Sequence, residues 1–153
     1  MNTRNQKQYG FSLLEILITL IVLSIGLLGM AGLQGASLRA NHGSYLRSQA
    51  TMMAGDLLDR MRANHLTASA GGYDISFGAL GAAPNDCQSV GVDCTPLQTA
   101  QYDLQQWKNH LSTTLPAGDG AIRRDGELFI IEVQWDDTRG QEAPTIFAIQ
   151  TEL

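Results

Sequence analysis

A chain of 153 residues has room for one soluble domain of modest size and an appendage. Ten basic against fifteen acidic residues give a net charge of −5, which argues against general nucleic-acid binding because phosphates would repel the chain. Apolar content is ordinary at 44%, but it is unevenly placed, with a dense block from Phe11 to Leu33.

That block is long enough to cross a bilayer, for which about 20 helical residues suffice. Arg4 and Lys7 precede it without an acidic residue, and the next basic residue is Arg39. The positive-inside rule therefore leaves residues 1–10 in the cytoplasm and exports the rest, including all the acidic residues. Within the block stands Glu15, although a charge in the hydrocarbon region costs at least about 2.5 kcal/mol.

Three readings compete. A secretory signal peptide would use Gly29 and Ala31 as the small residues before a cut, but the apolar run exceeds the about 7–15 residues of such signals and leaves Glu15 unexplained. A plain signal anchor gives Glu15 a local role: "SLLE" is a capping box in which Ser12 caps the helix and Glu15 reaches back, its charge suiting the helix dipole. The third reading takes the whole string "G-F-S-L-L-E", a basic leader ending in glycine, then phenylalanine, then glutamate at the head of an apolar helix. This pattern resembles the processing site of type IV prepilins. The resemblance implies cleavage after Gly10 by a prepilin peptidase, N-methylation of Phe11, and a mature chain whose fifth residue is Glu15. It also implies that Glu15 pairs with the N-terminal ammonium of an adjacent subunit, since a buried charge left alone costs several kcal/mol.

No proline interrupts the chain until Pro84. Leu46, Ala50, Met53, Leu57 and Met61 recur at helical spacing, so Phe11 to about His65 is expected to be one helix, near 80 Å at about 1.5 Å per residue. Asp56, Asp59, Arg60 and Arg62 lie off the stripe and read as solvated. Gly26, Gly29, Gly32 and Gly35 each cost about 1 kcal/mol relative to alanine. Close helix packing in a membrane and a section able to unwind are both open readings. Many relatives of this kind carry a proline where this chain has Gly32, so a fixed kink is not expected.

Residues 66–96 read as irregular, with a short extended piece at Tyr73–Phe77. Cys87 and Cys94 are the only cysteines, and outside the cytoplasm an isolated pair reads as a disulfide; two cysteines without a nearby histidine make only half a metal site. "TPLQTAQYDLQQWKNHLSTTLP" reads as a second helix capped by Thr95 with Pro96 in its first turn, burying Leu97, Leu104, Trp107 and Leu111. His42, His65 and His110 lack clustered ligand partners, so no metal and no cofactor is expected. In "ELFIIEVQWDD", Phe129, Ile131, Val133 and Trp135 alternate with Ile130, Glu132 and Gln134, a half-buried strand. "TIFAIQTEL" offers a second strand with Phe147, Ile149 and Leu153 on one face. "AIRRDG" suggests a third, leading through a turn at Asp125–Gly126, with Arg123 and Arg124 at a solvated strand end.

The expected fold is α+β and type IV pilin-like, a long N-terminal helix packed on a small antiparallel sheet. The expected organisation is a cytoplasmic leader at 1–10, a transmembrane and assembly half at 11–33, an amphipathic half at 34–65 and a periplasmic head at 66–153. "GLLGMAGLQ", "LLDRMRAN", the late helix and "VQWDD" resemble the PilV-type minor pilins, called pilus modification proteins. That resemblance implies a subunit of the inner membrane and then of a surface pilus. Its partners would be the prepilin peptidase, other minor pilins and the major pilin. A pseudopilin of a type II secretion system shares the first part of the pattern. A membrane-tethered enzyme is disfavoured, since no Ser/His/Asp set, metal cluster or phosphate loop is present.

Overall fold

The computed structural model describes residues 10–82 and 86–153. The chain divides into two compact units, one running to His42 and the other Gly43–Leu153. Its elements are α1 (Leu13–Ala63), α2 (His65–Ser69), α3 (Pro96–Thr114), β1 (Asp119–Asp125), β2 (Leu128–Trp135) and β3 (Thr145–Thr151). This is the expected α+β architecture, with a long N-terminal helix and a three-stranded antiparallel meander in the order β1-β2-β3.

From Leu13 to Leu33 α1 is apolar on every side except at Glu15, Thr19 and Ser24, and every residue of that stretch is exposed. In the second unit its sequence turns amphipathic and one stripe is buried: Leu46, Ala50, Met53, Leu57 and Met61, joined by Ala54 and Leu58. That stripe shares one core with the inner face of the sheet and with α3. Burying each large aliphatic side chain contributes about 1.5–3 kcal/mol, far more than helix propensity does. α1 stops at Ala63, just short of the expected end. Asn64 turns the chain, its side-chain amide donating to the Pro96 carbonyl at 2.7 Å.

The stretch expected to be irregular begins with the short helix α2 and makes one antiparallel bridge, Ile75 to Ile122. α3 starts as its sequence dictates. The Thr95 hydroxyl accepts from the Gln98 amide and the Gln98 side chain accepts from the Thr95 amide, a complete capping box ahead of Pro96. One expected core residue is corrected. Leu97 is 52% exposed, because the first turn of α3 runs past the core and lies beside Gly72; Ala100 is buried one turn before Leu104. Trp107 packs against β1, where a side chain at Gly120 would collide with its ring, and its indole N–H donates to the Met53 carbonyl at 3.1 Å. The ring thus ties α3 to α1 and to the sheet.

Phe129, Ile131, Val133 and Trp135 are buried, as the alternation requires. Ile130 departs from it: placed on the polar face, it is nonetheless buried, flanked in register by Arg123 and Gln150. The long stem of an arginine covers apolar surface while its charge stays wet, and Arg123 reaches Glu132 at 3.6 Å. The β1–β2 turn is one residue later than expected. Asp125 pairs with Leu128, leaving Gly126 and Glu127 as the loop, and Gly126 takes φ 64°, the left-handed value that glycine supplies at the first position of such hairpins.

Candidate assembly site

The N-terminal residues singled out by the sequence lie together at the start of α1. Gly10 and Phe11 precede the helix and are exposed, Phe11 by 82%. The rest of the leader, residues 1–9, lies outside the described residues. Ser12 caps the helix through its hydroxyl, which accepts from the Leu14 amide at 3.3 Å, while its carbonyl accepts from the Glu15 and Ile16 amides. The reciprocal half of the expected capping box is absent among the described residues. The Glu15 carboxylate makes no hydrogen bond or ion pair there.

That isolation is specific to Glu15. Between Leu13 and Leu33 the polar side chains are Glu15, Thr19 and Ser24. The Thr19 hydroxyl donates to the Glu15 and Ile16 carbonyls, and the Ser24 hydroxyl donates to the Leu20 carbonyl at 2.6 Å. Both hydroxyls are satisfied within their own helix, the usual arrangement for Ser and Thr in apolar helices. A carboxylate only accepts hydrogen bonds. Glu15 stands in the first turn of α1, where backbone N–H groups are free, yet its side chain accepts from none of them among the described residues. The glycines at 26, 29, 32 and 35 likewise have no reason within the chain, since a Cβ at each would meet open space.

The charged groups of Gly43–Leu153 do different work. Asp103, buried on α3, accepts from the Tyr73 hydroxyl at 2.7 Å and from Arg60 at 3.2 Å. Burial and the Asp103 bond both push the Tyr73 hydroxyl upward from its usual pKa. Burial alone would lower Arg60, but Asp103 and Asp56 outweigh it and hold the guanidinium firmly charged. Lys108, also buried, donates to Asp119 at 2.5 Å and to the Ser76 carbonyl at 3.1 Å. Arg124 grips Asp74 through two nitrogens and donates to the Ser69 carbonyl at 2.6 Å. Arg60 and Arg124 are thus corrected from solvated positions to clasps between distant segments. Asp103, Lys108, Asp119 and Tyr73 carried no signal in the sequence, since each is paired with a residue of another element and no local period marks the pair.

Cys87 and Cys94 form a disulfide, closing a short loop and contributing about 2–3 kcal/mol by restricting the unfolded chain. Among the described residues no group of three or more His, Cys, Asp or Glu is placed to hold a metal. His42, His65 and His110 are not brought together with any such group.

Comparison with known proteins places these features. Residues 5–31, which include Gly10, Phe11 and Glu15, match the prokaryotic N-terminal methylation motif. Residues 32–105 match the family model described as Type IV pilin Tt1218. No curated protein and no solved structure matches the chain significantly.

Proposed function

We propose that this chain, which matches the N-terminal methylation motif over residues 5–31 and a type IV pilin model over residues 32–105, is a minor pilin of the PilV type that takes part in starting or assembling a type IV pilus. A prepilin peptidase cuts between Gly10 and Phe11 and Phe11 becomes N-methylated. The protein waits in the inner membrane with its leader end cytoplasmic and residues 66–153 in the periplasm. From there it joins the filament through residues 11–33, beside other minor pilins and the major pilin. Its role is structural rather than enzymatic.

The observation that carries this reading is Glu15, an exposed carboxylate without a partner among the described residues, in a helix half whose other polar side chains are satisfied. Cleavage supplies the missing donor, because it creates an ammonium at Phe11 of each subunit. An ammonium and a carboxylate that meet between helices cancel two charges that would each cost several kcal/mol alone. Only one axial offset of neighbouring helices brings them together, so the pair sets the register of assembly.

Deleting the gene and scoring surface pili beside secreted enzymes tests the assignment. Loss of pili with secretion intact is expected. Intact pili with lost secretion would make the protein a type II secretion pseudopilin instead.

A further inference from the structure

From Asp86 to Thr99 no residue is buried, although this stretch includes the first turn of α3; burial begins at Ala100. Val90 is fully exposed and Leu97 half so. Apolar packing therefore does not hold the segment in place. Its noncovalent attachments are polar. The Thr95 capping box fastens the first turn to itself, and the Asn64 amide donates to the Pro96 carbonyl. Ser89, Gln88 and the Tyr102 hydroxyl gather at Asp86 and hold its carboxyl below the usual carboxylate range. Between the segment and the end of α1 lies a cavity lined by Arg60, Asn64, Cys94, Pro96, Thr99 and Asp103. The covalent attachment is the Cys87–Cys94 bond, whose second cysteine directly precedes the cap. Both cysteines are only half-buried, so the bond lies at the surface.

We propose that the Cys87–Cys94 bond is a redox-sensitive latch: oxidised, it fixes the start of α3 beside that cavity, and reduced, it releases residues 86–99 while the core stays folded. The inference goes beyond the pilin reading and does not depend on it. Hydrogen bonds formed at the surface replace bonds to water, so each offsets little of the backbone entropy lost in ordering a residue. A handful of them does not hold a segment of this length without the cross-link. Beyond Thr99 the helix has its own anchors, because Ala100, Leu104, Trp107 and Leu111 are buried in the core and the Trp107 indole donates to Met53. Release therefore stops there.

The reaction partner is a dithiol. Its thiolate attacks one sulfur of the bridge, the other cysteine leaves as a thiolate and takes up a proton, and a mixed disulfide forms. The second thiol of the reagent then displaces the first cysteine. Two electrons and two protons pass to the protein, leaving two cysteine thiols and an oxidised, disulfide-bonded reagent. Opening the segment also frees Asn64 from Pro96 and exposes the cavity beside the Arg60–Asp103 pair.

The test treats the detergent-solubilised full chain with dithiothreitol and follows amide hydrogen exchange. In a helix each N–H bonds the carbonyl four residues earlier. The amides of Ala100–Asp103 thus depend on the carbonyls of Pro96–Thr99, and that of Leu104 on Ala100. Reduction should speed exchange at Gln98–Asp103 at least about tenfold. Exchange from Leu104 onward in α3, at Met53–Met61 and at Phe129–Val133 should not change, and reoxidation should restore the slow rates. Cys87→Ser without reductant should show the same pattern. A bond that dithiothreitol breaks only when the whole chain unfolds would overturn the proposal. So would exchange at Gln98–Asp103 that is unaffected by reduction, or a rise spread evenly over α1, α3 and the sheet.

Discussion

Glu15→Gln is expected to leave the protein cleaved and inserted in the membrane but strongly depleted from pili. Glutamine nearly preserves shape and also serves in a capping box, so a purely local role predicts almost no effect. The structure sharpens the contrast, because the Glu15 side chain makes no bond back to Ser12 and the serine hydroxyl caps the helix alone. Helix stability should therefore not change. The neighbour's N-terminal ammonium, by contrast, would be left buried without its counter-charge, a loss of about 3–5 kcal/mol. The readout is the protein in sheared pili relative to membranes, wild type against variant. A drop of at least about tenfold is expected, well within that energy. An unchanged ratio would return Glu15 to a local role.

Asp119→Asn should produce the largest loss of stability among surface-accessible charges. The aspartate holds Lys108, whose side chain is 8% exposed, and also accepts from the Gly78 and Gly120 amides at 2.6 and 2.7 Å. Removing one partner of a buried pair costs about 3–5 kcal/mol, because the other charge is stranded. Burial pushes the Asp119 carboxyl up, but the Lys108 bond, the two amides and the ammonium charge outweigh it and hold the pKa below the usual carboxylate value. A depressed folded pKa makes the contribution complete above the unfolded value, about 3.9. The contribution is then lost as pH falls through the folded one. Thermal unfolding of the detergent-solubilised full chain should thus show a midpoint lower by more than about 10 °C at pH 7. The gap should narrow below about pH 4. A gap that stays constant into acid would contradict the ion-pair assignment.

Periodicity made much of the fold legible. The α1 stripe, the Thr95–Pro96 helix start and the β2 alternation are local patterns, and each fixes a face without knowledge of the rest of the chain. Periodicity does not say where a core ends, which is why Leu97 looked buried, nor what lies over the far face of a sheet, which is why Ile130 looked solvated. Arg60 and Arg124 were illegible for another reason. Charged residues are usually exposed, and the partners that hold these two are 43 and 50 residues away in sequence. The candidate site was legible because "GFSLLE" is contiguous and its chemistry specific. What the sequence lacked was the contrast the structure supplies: Thr19 and Ser24 are satisfied within the helix and Glu15 is not.

The central claim is that the chain becomes a pilin subunit by cleavage beside Phe11, and the intact mass of the protein purified from membranes tests it most directly. The prediction is a chain that lacks residues 1–10, begins at Phe11 and carries one added methyl group on that residue's nitrogen. A chain that retains Met1, or one cut after Ala31 as a secretory signal would be, would contradict it.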